Sequence, residues 1–172
     1  MANFTFEYLP DVKPLEGRSY YASDHYSFDF DFSDKGDHMN RRGQFGVSVL
    51  VFDTLQIHVS IESHCALYCS GYCPHGIWEN MALVVPVSQK GGLKVSSDTP
   101  LLPGIGYNIN LSSDKFYYDS VSGWFCAGEV MPPSDGMAVE FADGCLIVIT
   151  STGIHSVWIH NSDKQSLNRL PH

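Results

Sequence analysis

Three cysteines at even spacing, Cys65, Cys69 and Cys73, are bracketed by two histidines, His64 and His75, in the run SHCALYCSGYCPH. Thiolates and imidazoles are the ligands of structural zinc, and a Cys-x3-Cys pair lies within the spacing such sites use. On that reading His64 and His75 complete a tetrahedral set. The competing reading is sulfur packed in a core, since free cysteine behaves as a small, readily buried hydrophobe. Zinc sites usually draw on two separated ligand pairs, and no second pair is present: neither Cys126 nor Cys145 has a Cys or His at pair spacing, although His155 could approach in space. The double x3 spacing also fails to reproduce the cysteine runs of ferredoxins. The sequence therefore favours packed thiols, with no metal and no cofactor expected.

A second group carries carboxylates. Asp24, Asp29, Asp31, Asp34 and Asp37 fall within fourteen residues, with His25, Tyr26 and His38 among them. Clustered oxygens suit hard cations, but the pattern lacks the glycine and the distal glutamate of an EF-hand loop. A solvated strand face followed by a turn at Lys35-Gly36 explains the same residues. So does a docking surface for a basic protein partner, with Asp24, Asp29, Asp31, Asp34, Asp37 and Tyr26 as its contacts, because tyrosine is enriched in interface cores. Nucleophilic catalysis finds little support. There is no G-x-S-x-G elbow, and Gly91-Gly92 and Gly104-x-Gly106 do not open a helix after a strand, so they read as turns.

The elements that must position these groups are strands. Leu55, Ile57, Val59 and Ile61 alternate with Gln56, His58, Ser60 and Glu62, the pattern of a half-buried strand with His58 on the wet face. Gly43 to Phe52 is a more fully buried run, turned back into that strand at Asp53. Tyr20 to Phe32 ends with Phe28, Phe30 and Phe32 on a core face and Asp29 and Asp31 on the other. Met81 to Val87 and Leu93 to Val95 follow, then Ile105 to Leu111, Phe116 to Asp119 and Gly123 to Val130. Met137 to Phe141, Cys145 to Thr150 and Ile154 to His160 form a meander, its first turn the hairpin dipeptide Asp143-Gly144. Ser162-x-x-Gln165 has capping-box spacing and predicts a short terminal helix bearing Leu167 and Leu170, stopped before Pro171. The count is about 9–11 short strands. The expectation is one all-β domain over residues 1–172, an antiparallel sandwich or barrel.

Composition narrows the partners. The formal net charge of −9 opposes the phosphate backbone of nucleic acid, while acidic patches steer basic proteins. No apolar run approaches a spanning length, and the N-terminus MANFTFE has neither a basic region nor an apolar one, so a cytoplasmic protein without a membrane partner is expected. Five cysteines, an odd number, fit reduced thiols better than a disulfide framework. The sequence carries no signal for an oligomeric state.

The C-terminal meander, AVEFADGCLIV followed by GIHSVWI over residues 138–159, resembles the closing hairpins of small bacterial immunity proteins that accompany polymorphic or contact-dependent toxins. The resemblance implies a non-enzymatic cytoplasmic protein that binds and neutralises a cognate toxin. It carries over no functional residues, since such families share none. The alternative is a cupin-like β-barrel enzyme or metal-binding protein built on Cys and His residues from several strands.

Overall fold

The computed structural model describes residues 2–168. Along the chain run β1 (Phe4–Leu9), β2 (Gly17–Ala22), β3 (Ser27–Phe32), α1 (Lys35–Arg42), β4 (Val47–Phe52), β5 (Leu55–Ser60) and β6 (Ala66–Tyr72). After a 3-10 turn at His75–Ile77 come β7 (Glu79–Asn80), β8 (Ser88–Lys90), β9 (Gly92–Ser97), β10 (Gly106–Asn108), β11 (Phe116–Tyr118) and β12 (Trp124–Gly128). The meander β13 (Met137–Ala142), β14 (Cys145–Thr150) and β15 (Gly153–His160) precedes α2 (Gln165–Asn168). Leu170 and Pro171 lie outside the described residues. No helix among the described residues is long and apolar enough to cross a membrane.

The protein is all-β, and neither large sheet closes into a barrel. One is six-stranded, in the order β10-β4-β5-β6-β3-β2, and the other seven-stranded, β7-β11-β12-β15-β14-β13-β8; β1 and β9 form a separate pair. The antiparallel pairs include the hairpins β2–β3, β4–β5, β5–β6, β11–β12, β13–β14 and β14–β15, whereas the parallel pairs β10–β4, β7–β11 and β8–β13 each use an edge strand of two or three residues. Short edges give little template for unwanted pairing with other chains. The main core lies between the large sheets, with Phe28, Leu50, Ile57 and Cys69 from one meeting Phe125, Phe141, Cys145 and Ile159 from the other.

β2, at one edge, is sealed by the opposite sheet. Gly17 N–H donates to an Asp143 carboxylate oxygen (3.0 Å), Tyr21 N–H to Asn161 Oδ1 (2.9 Å), and Ser162 N–H to the Ser19 carbonyl (3.0 Å). Of the two turn residues Asp143 and Gly144, only Gly144 takes a positive φ (77°), and the β13–β14 register shifts between Glu140 and Ala142.

Four expectations are corrected. Met81 to Val87 is extended but belongs to no sheet. It joins β7 at one edge of the seven-stranded sheet to β8 at the other. Crossing six gaps of ~4.8 Å takes roughly 29 Å, about what eight residue steps can span. This strap lays Leu83 and Val85 over the cluster of Trp158, Leu146, Cys126 and Val148 on the outer face, while Val84 and Val87 face solvent. The segment is apolar at every position, but its cover is a sheet face and not a neighbouring strand. Second, the chain at Lys35-Gly36 is the first turn of α1. Asp34 caps it by accepting from Gly36 N–H (2.9 Å) and Asp37 N–H (3.2 Å), and Gly43 (φ 75°) ends it. None of its residues is buried, so apolar periodicity could not signal it.

Third, β4 alternates half-buried and buried positions instead of being buried throughout. Fourth, Phe32 of β3 is not a core residue like Phe28 and Phe30. The β3–β6 ladder lasts only for Ser27↔Tyr72 and Phe28↔Gly71. Phe28 and Phe30 are buried in the core, as expected, Phe30 also stacking on Tyr68 at 5.5 Å, whereas Phe32, 5.2 Å from the same ring, is only half-buried at the margin.

Candidate functional site

The β2–β3 hairpin gathers carboxylates on its outward face. Register pairs Arg18 with Asp31, Tyr20 with Asp29 and Tyr21 with Phe28, so the pleat sends Tyr21 and Phe28 inward and the others out. Arg18 reaches Asp31 at 3.9 Å and lies 5.3 Å from the Tyr20 ring centroid. The Tyr20 phenol is pushed above its usual pKa by partial burial, and further by Asp29, Asp31 and Asp24, with Arg18 opposing. Three carboxylates thus converge on one tyrosine with a single arginine between them. His25 sits 3.6 Å from Asp24 at the hairpin tip.

Tyr26 closes that tip in the left-handed region (φ 53°), uncommon for a residue with a bulky side chain. Its carbonyl accepts from Cys73 N–H (2.7 Å), and its ring stacks on His75 at 5.7 Å. Tyr26 and Tyr72 are both exposed, adjoining the carboxylate face. Asp34 and Asp37 stand apart from this group. Asp34 caps α1, and Asp37 pairs with Arg41 one helical turn on (3.0 Å), so both serve the helix. Spacing along the chain could not separate the two sets, because the helix that holds Asp34 and Asp37 has no apolar signature.

The cysteine series does not share one face. A register shift between His58 and Val59 puts Ala66 opposite Val59, so Ala66 takes the inward position and Cys65 is left half-exposed beside Lys94. Cys69 faces the core, where hydrogen bonding to Cys145 and then burial raise its pKa. Ser19 Oγ lies 3.3 Å from Cys145 Sγ. Cys73 accepts from Trp78 Nε1–H (3.2 Å), and burial pushes its thiol up to about 12. His64 (φ 62°) and His75 lie beyond opposite ends of β6. Among the described residues no three His, Cys, Asp or Glu side chains gather where they could hold a metal ion. Raised thiols offer little thiolate, the nucleophilic form.

These positions make a contrast testable by denaturation. Cys69→Ser, which places a hydroxyl in the apolar centre, is expected to cost about 1–3 kcal/mol. Cys65→Ser, at a half-exposed position, should change stability by no more than about 0.5 kcal/mol. Equal losses at the two sites would contradict the inward–outward assignment.

Compared with known proteins, the chain matches no family model, no curated protein and no solved structure. Site chemistry therefore carries the functional reading alone.

His58, expected on the wet face, is covered. It points away from the main core, but Tyr68 stacks on it at 4.3 Å and Ser70 Oγ lies 2.7 Å from its Nε2. His38 of α1 stacks on Phe32 at 3.8 Å and stands 5.9 Å from Tyr68. Burial pulls His58 down to about 4, and His38 adds to the shift. The alternation of β5 was legible, but the helix that helps enclose its outer face was not.

Proposed function

We propose that this chain is a non-enzymatic protein-binding domain, an immunity protein that acts in the cytoplasm and neutralises a basic toxin domain through the outer face of its β2–β3 hairpin. The observation that carries the reading is the convergence of Asp24, Asp29 and Asp31 around Tyr20, with Arg18 as the cation among them. Carboxylates in excess over the one arginine attract a basic surface over a range set by the Debye length, and Tyr20, Tyr26 and Tyr72 supply aromatic contact area at low entropic cost. The sealed β2 edge directs the partner to the sheet face, since strand addition needs free backbone groups.

The test is isolation of the native partner by pull-down, followed by stopped-flow association with that partner. Replacing Asp24, Asp29 and Asp31 together with Asn is expected to slow association roughly ten-fold at low salt and to flatten its salt dependence. Dissociation should change less. A variant with unchanged association rate and salt slope would show that this face does not guide the partner.

A further inference from the structure

At the end of the sandwich that carries the β4–β5 turn, a cleft of about 550 Å³ opens between the two large sheets. Phe52, from the six-stranded sheet, and Phe116, at the start of β11 in the seven-stranded sheet, form its buried apolar floor. Ile109 and Leu111 of the intervening loop add half-buried walls. Two carboxylates, Asp53 and Asp114, complete the lining together with Asn110 and Ser113, and no basic side chain is present in it. Among the described residues neither aspartate has an ion pair or a hydrogen-bonding partner. Asp53 also holds a positive φ (56°) in the two-residue turn joining Phe52 to Leu55, a place where hairpins favour glycine.

We infer that this cleft binds a small organic cation, an ammonium or guanidinium group carried on an apolar stem. The volume falls in the range of small-molecule sites, which combine apolar walls with a few placed polar groups. Phe52, Phe116, Ile109 and Leu111 take the stem out of water, as apolar transfer favours. Asp53 and Asp114 face the charged head with charge-assisted hydrogen bonds, about twice as strong as neutral ones. An anion meets two like charges, and a neutral head forgoes the ionic component, so the lining selects by charge sign. This site uses none of the residues of the β2–β3 face.

The test is titration of the full-length, 15N-labelled protein with 4-phenylbutylamine, 4-phenylbutanol and 4-phenylbutanoate, followed by amide NMR shifts. The amine is expected to bind with a Kd on the order of 1 mM, fitting an eleven-heavy-atom ligand of ordinary efficiency. Its shifts should centre on Asp53, Asn110 and Ser113. Binding should be roughly ten-fold tighter than for the alcohol, with none detectable for the carboxylate. Asp53→Asn and Asp114→Asn should each bring the amine toward the alcohol while the spectrum stays dispersed. The combined Asp24, Asp29 and Asp31 variant should bind the amine unchanged, which separates this site from the partner-binding face. Equal binding of amine and alcohol, shifts centred elsewhere, or no binding of the amine at ten times the expected Kd would overturn the inference.

Discussion

Phe28→Ala should destabilise the protein by about 3–5 kcal/mol, the range for deleting a fully buried aromatic ring. Phe28 has no exposed surface and touches rings on every side: Phe125 of the opposite sheet at 4.9 Å, Tyr21 at 5.1 Å and Trp78 at 5.6 Å. Those three rings are held by other contacts as well. Trp78 donates to Cys73, and the Tyr21 hydroxyl donates to the Cys73 carbonyl and accepts from His75 N–H. They cannot collapse far into the space vacated, so the cavity penalty adds to the lost transfer energy. Urea denaturation with an unchanged m-value reads the loss directly. The neighbouring Asp29→Asn, on the outward side of the same strand, should shift stability by no more than about 0.5 kcal/mol. A loss below about 1 kcal/mol for Phe28→Ala would mean that the site relaxes around the missing ring, contrary to this packing.

Acidification should remove about 3 kcal/mol of stability through His58, because its folded pKa of about 4 lies below the ordinary 6.5. The unfolded chain binds a proton at His58 as pH falls through 6.5, while the folded protein resists until about 4. Stability is therefore fully present above 6.5, declines between the two values, and loses the whole contribution below about 4. The groups around the ring explain the resistance. Tyr68 stacks on it, Ser70 Oγ lies at Nε2, and His38, itself lowered by burial and by Arg42, stands on the covering helix and adds to the downward shift. Chemical denaturation at a series of pH values measures the slope. His58→Phe keeps a ring against Tyr68 and should flatten the decline between 6.5 and about 4. A slope identical to that of the parent would assign the acid sensitivity elsewhere.

The amino-acid sequence by itself determined the class of the fold and much of its strand pattern. Period-two alternation marked β5, because a strand with one dry face must alternate, and apolar runs bounded by turn residues such as Asp143-Gly144 placed the meander of β13, β14 and β15 within a residue or two of its observed bounds. The turn at Asp53 was legible for the same reason, being the polar break between two apolar runs. The opposite orientations of Asp29 and Phe28 also follow from the pleat alone. Among the described residues eleven strands have five or more residues, the upper end of the count read from the sequence; the others, β7, β8 and β10 at sheet edges and β11 beside β7, are too short to show a period.

What tertiary structure decided were the relations between distant segments. α1 exists through a cap, a terminal glycine and one ion pair, interactions that carry no hydrophobic period. Its presence turned His58 from a wet residue into a covered one and took Asp34 and Asp37 away from the other carboxylates. A single register shift in β6 broke the even spacing of the cysteines, since one extra residue reverses which side of a strand faces the core. The strap over Trp158 looked like a strand because a short continuous apolar run is read the same way whether it pairs in a sheet or lies across a sheet face. Phe52 and Phe116 are separated by more than sixty residues and become the floor of one cleft only when the two sheets pack.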